Sequence, residues 1–76
     1  MRIICTAIVE EPLQRKNLVH CIEILGEKPT EHGNSVSLEY KGDDLNQVKR
    51  ITLLFEQYTF HNIERITESN SKPNPC

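Results

Sequence analysis

Residues 35–58 read SVSLEYKGDDLNQVKRITLLFEQY, and the change of period inside this stretch decides the fold class. Val36, Leu38 and Tyr40 share one parity, and Ser35, Ser37, Glu39 and Lys41 share the other. Strict alternation is the pattern of a strand with one buried face. After Gly42-Asp43-Asp44 the period lengthens, and Leu45, Val48, Ile51, Leu54, Phe55 and Tyr58 recur as the apolar stripe of a helix. Asp44 is placed to cap that helix, with Gln47 three residues on as its capping-box partner. At 1.5 Å per residue, a helix running to Tyr58 is roughly 22 Å long.

Upstream, residues 2–10 (RIICTAIVE) are rich in β-branched side chains and carry apolar residues on both parities. That suits a strand covered on both faces. Pro12 then opens a helix to Leu25, with Gly26 just beyond it, and Leu18, Cys21, Ile22 and Leu25 fall at helical spacing. A strand over 18–25 is the rival reading, but its parity breaks at Cys21-Ile22 and again at Ile24-Leu25. Residues 26–34 are rich in turn formers, with room for a short edge strand near Lys28 to Glu31 and a hairpin turn at His32-Gly33-Asn34.

Downstream, residues 59–67 suggest a closing strand. Its apolar residues Phe60, Ile63 and Ile66 do not keep a period of two, which leaves a bulge or a helical turn open. Residues 68–76 (ESNSKPNPC) are polar and proline-rich, the composition of a disordered tail, so the expected folded domain is 1–67.

Strand, helix, short strand, strand, helix, strand resembles the split β-α-β plan of ferredoxin-like domains in element order. The expected fold is therefore α+β: a small two-layer sandwich, with two helices on one face of a mainly antiparallel sheet. That plan hosts many unrelated functions and assigns none by itself.

Composition narrows the function. Nine Lys and Arg stand against 11 Asp and Glu, for a net charge of −2 with the signs interspersed. Phosphate-backbone binding draws on a basic excess, which is missing, so no nucleic acid partner is expected. The aromatics Tyr40, Phe55, Tyr58 and Phe60 make no display pair for base stacking, since Tyr40 shares the buried parity of Val36 and Leu38. The apolar run after Met1 is too short to span a membrane and lacks a signal-peptide cleavage region, and no Asn-x-Ser/Thr sequon occurs. Cys5, Cys21 and Cys76 are widely spaced and form no Cys-x-x-Cys pair. Free thiols inside apolar segments act as small hydrophobes, and a reducing, cytoplasmic location follows.

No catalytic, metal or cofactor constellation is expected. His20 falls opposite the apolar stripe of its helix, and His20 with Glu23 is half a metal site with no second half. His20 and Cys21 point about 100° apart on a helix and cannot work as a nucleophile pair. Asp43-Asp44 reads as helix capping. Gly26, Gly33 and Gly42 build no phosphate loop.

Two features call for a partner. In the first strand, Ile3, Cys5, Ala7 and Val9 form one face, and the small residues among them let helices approach. Ile4, Thr6 and Ile8 are left on the outer face, where the second long strand places Ser35, Ser37, Glu39 and Lys41. An apolar patch rimmed by polar groups is thus expected there, as at interaction sites. Leu53 falls about 140° from Val48 around the second helix, on its solvent side. The expected function is a non-enzymatic protein-interaction or regulatory accessory module, self-associating through its sheet, with Ile4, Thr6, Ile8 and Leu53 as contact residues. The alternative is a small-ligand sensor of the ACT-like kind, which shares the element order and would bind near Glu10 to Leu13. That turn has no glycine to admit a ligand against the backbone.

Overall fold

The computed structural model describes residues 1–66, so the tail 68–76 and Cys76 lie outside the described residues. Strand β1 (Arg2–Ile8), helix α1 (Pro12–Ile24), strands β2 (Thr30–His32) and β3 (Ser35–Lys41), helix α2 (Leu45–Glu56) and strand β4 (His61–Ile66) follow in order. They form a two-layer α+β sandwich whose four-stranded sheet has the order β2-β3-β1-β4, with every neighbouring pair antiparallel.

Parity sets the layers. Ile3, Cys5, Ala7 and Val9 are buried, and Val36 and Leu38 beside them on β3 are buried too. With Leu18 and Ile22 of α1 and Val48, Ile51 and Phe55 of α2 they make one core cluster. Cys5 and Ala7 are small, which lets the helix layer sit close over the middle of the sheet.

The helix reading of 18–25 holds, and its end shows why. Gly26 adopts φ 88°, Gly26 N donates to Glu23 O (2.9 Å) and Glu27 N donates to Ile22 O (3.2 Å). This is the Schellman pattern, which a glycine stabilises because it reaches positive φ without a Cβ clash. At the other end no side chain caps the helix, but Pro12 occupies its first turn, where a missing N–H costs nothing. Arg15 ties that end to the strands: its Nη1 donates to Val9 O (2.8 Å) and Asn34 Oδ1 (3.2 Å), and its Nε lies 3.7 Å from Glu31 Oε2.

The short edge strand exists but is shifted. It runs Thr30–His32 rather than 28–31, and His32 pairs with Ser35 instead of joining the turn. Pro29 has no N–H for the ladder, and Gly33 (φ 62°) with Asn34 turns the chain in two residues.

Helix α2 departs from its expected form in three places. Asp44 is the N-cap, accepting from Asn46 N (3.0 Å) and Gln47 N (3.3 Å). Gln47 does not close a capping box, because its Nε2 donates to Leu25 O (2.9 Å) and Glu27 Oε2 (3.0 Å), joining α2 to the end of α1. The helix stops at Glu56, at about 18 Å, and Tyr58 packs against the core from the following turn. Its buried arc is Val48, Ile51, Thr52 and Phe55, with Leu54 half-buried and Leu45 exposed in the first turn. Thr52 is tolerated inside because its hydroxyl donates to Lys49 O (3.0 Å).

Candidate interaction surface

The ladder register fixes what lies on the sheet face away from the helices. Ile4 stands between Glu39 of β3 and Glu64 of β4, and Thr6 stands between Ser37 and Asn62. Ile8 pairs with Ser35, and its N–H donates to Phe60 O (2.9 Å) on the other side. Arg2 lies between Lys41 and Ile66, its Nε 3.2 Å from Glu39 Oε2. The outer face is therefore banded: a basic row, an acidic row around Ile4, a neutral polar row around Thr6, and an apolar corner at Ile8 and Phe60.

The expected contact residues divide accordingly. Ile4 and Thr6 are half-buried by their polar neighbours, whereas Ile8 is 51% and Phe60 is 68% exposed. An open cleft of about 280 Å³ lies at this corner, lined by Thr6, Ile8, Thr59, Phe60, His61 and Asn62. Phe60 is the residue that sequence reading missed. The three-residue spacing of Phe60, Ile63 and Ile66 hides its facing, and only the pairing of β4 with β1 settles it: Ile63 turns towards the helices, Phe60 and Ile66 away. The expected closing strand forms, with neither a bulge nor a helical turn in it, since 61–66 pair with β1 without a break.

Leu53 is 55% exposed but does not join this surface. It lies on the helix layer, where Cys21, Ile24, Leu25, Arg50, Leu53 and Leu54 line an apolar groove of about 330 Å³ between α1 and α2. Ile24, 70% exposed, belongs to the same groove. A third opening of about 350 Å³ lies between the β1–α1 turn and the end of α2, with Glu10, Glu11, Gln14, Gln57 and Tyr58 among its walls.

The titratable side chains are scattered. His20 is exposed on α1, His32 sits on the edge strand, and His61 Nδ1 donates to Tyr58 O (2.6 Å), which fixes its tautomer. Among the described residues no three His, Cys, Asp or Glu side chains are grouped to hold a metal ion. No helix among them is long and apolar enough to cross a membrane. Burial pushes the Tyr58 hydroxyl above its ordinary range, and the neighbouring Cys21 adds to the shift.

Cys5 is wholly buried, and burial pushes its thiol from 9.0 up to about 11, with Arg65 pulling it down and Glu56 pushing it up. A thiolate is the reactive form, so Cys5 is held unreactive. The folded state favours the protonated thiol, so its contribution to stability is whole below pH 9 and fades as pH rises from 9 towards 11. The full loss is roughly 2–3 kcal/mol. Cys5→Ala should flatten the alkaline limb of urea-derived stability between pH 8.5 and 11. An alkaline limb unchanged by the substitution would count against this account.

Comparison of the chain with protein-family models, with curated proteins and with solved structures returned no match.

Proposed function

We propose that this chain is a non-enzymatic protein-interaction module, accessory or regulatory in role, that self-associates through its sheet. The observation that carries the reading is the apolar corner of Ile8 and Phe60, two large hydrophobic side chains more than half exposed beside each other on a face whose other exposed side chains are polar. Ile4 and Thr6 continue the contact surface, and the polar rows around them supply the rim that interfaces use. A domain near this size buries only about 60% of its unfolded surface, so a partner adds burial that its own core lacks. Free Cys5 and Cys21 are in keeping with a cytoplasmic location.

Sedimentation equilibrium tests the reading. Wild type should be dimeric at tens of micromolar, and Phe60→Glu should be monomeric there with an unchanged circular dichroism spectrum. A wild-type monomer at millimolar concentration would remove self-association from the proposal.

The ACT-like sensor remains the second reading, favoured by the opening beside Glu10, Glu11 and Gln14. Two exposed carboxylates there suit a small cationic ligand, whose binding would raise Tm by mass action.

A further inference from the structure

Among the described residues strand β4 pairs with β1 alone, so its other side is an open edge of the sheet they form. Because Ile8 N donates to Phe60 O, the antiparallel alternation assigns the even residues of β4 to the ladder with β1. The N–H and C=O groups of His61, Ile63 and Arg65 then point to the open edge. An edge of this kind is a template for another strand. No proline or bulge interrupts it.

We infer that two copies of this chain join edge to edge through β4, antiparallel about a two-fold axis at Ile63, merging two four-stranded sheets into one. The occupant is specified by the strand itself, since its side chains are self-complementary about that residue. Ile63 meets the partner's Ile63 on the helix side. On the outer face Asn62 stands opposite the partner's Glu64, an amide donor against a carboxylate, and Phe60 stands opposite the partner's Ile66. Each of these outer-face pairs occurs twice. The spacing of Phe60, Ile63 and Ile66 breaks strand period within one copy, yet it is symmetric about the axis.

Neighbouring registers that keep the hydrogen-bonding parity are worse. Centring on Glu64 sets the two Glu64 carboxylates directly opposite each other, which destabilises. Centring on Asn62 sets Phe60 against the partner's Glu64 and leaves Ile66 unmatched. In the preferred register, His61 opposite the partner's Arg65 is the one pair that supplies no attraction. Exposed Leu45, in the cleft of about 300 Å³ between α2 and Arg65, lies along the same border.

This inference rests on the reading of the chain as self-associating, and it centres the junction on the β4 edge, with Phe60 of the apolar corner in it and Ile8 one strand away. Arg65→Pro tests it, because the N–H removed faces the edge and the β1 ladder keeps all its bonds. The variant should fold as wild type and dimerise at least tenfold more weakly by sedimentation equilibrium, while Ile24→Glu, in the groove of the helix layer, should dimerise as wild type. Register is read by mixing Asn62→Cys and Glu64→Cys chains of different mass, each also carrying Cys21→Ser and Cys76→Ser, under mild oxidation. Opposed residues of a non-hydrogen-bonded pair lie about 4.5 Å apart, within disulfide reach, whereas like residues sit on a diagonal of about 7–8 Å. Mixed disulfides should therefore outnumber same-variant ones, a result that decides the register even if Arg65→Pro fails to fold. A folded Arg65→Pro variant as dimeric as wild type, or same-variant disulfides in excess, would overturn the edge junction. If Ile8→Glu alone abolished the dimer, association would lie on the outer face, and the functional reading would outlive this one. A monomeric wild type would end both.

Discussion

Val9→Glu is expected to unfold the chain, while Ile8→Glu, one residue away, should leave it folded. Val9 is 3% exposed within the core cluster, and Ile8 is 51% exposed on the outer face. A carboxylate at Val9 would be buried without a partner, at a cost of several kcal/mol. A chain of this length holds roughly 4–11 kcal/mol in all. Circular dichroism and urea titration of the two variants read the difference. If Val9→Glu stayed folded while Ile8→Glu did not, the sheet would be facing the other way. Ile4 is a poorer site for the same comparison: a third carboxylate between Glu39 and Glu64 would repel both, so Ile4→Lys is the informative variant there.

Phe55→Ala should come close to unfolding the domain as well. Phe55 is the largest fully buried side chain and lies in the cluster to which both helices and the sheet contribute. Truncating a buried Phe to Ala costs about 3–5 kcal/mol, through lost transfer energy and the cavity left behind. Phe55→Leu, which keeps most of the volume, should recover much of that loss. A urea midpoint for Phe55→Ala within error of wild type would mean that the core is not organised around this ring.

The layers were legible in the sequence because they rest on local periods. Residues 35–41 alternate, and the small residues Cys5 and Ala7 mark the inner parity of β1, so Ile4, Thr6 and Ile8 fall outward as expected. Leu53 was placed by angle alone. What stayed hidden depends on partners distant in the chain. The outward facing of Phe60 needs the pairing of β4 with β1. Gln47 leaves its capping box because Leu25 O and Glu27 lie within reach across the helix layer, a contact no local pattern encodes. Leu45 kept the helical stripe in sequence, but it sits in the first turn of α2, where less of the stripe is covered.

The strand order β2-β3-β1-β4 also has a consequence for how the protein is made. β1 leaves the ribosome first, yet its two neighbours in the sheet are β3 and β4, and Arg2 pairs with Ile66. A strand with apolar residues on both parities must therefore wait, unpaired on one side, until the last strand has been synthesised. Closing so long a loop is entropically costly and slow, and collapsed chains in that interval expose edges that aggregate. Vectorial synthesis thus gives no head start to this sheet. Its completion waits for β4, and nascent β1 is the segment most in need of a chaperone until then.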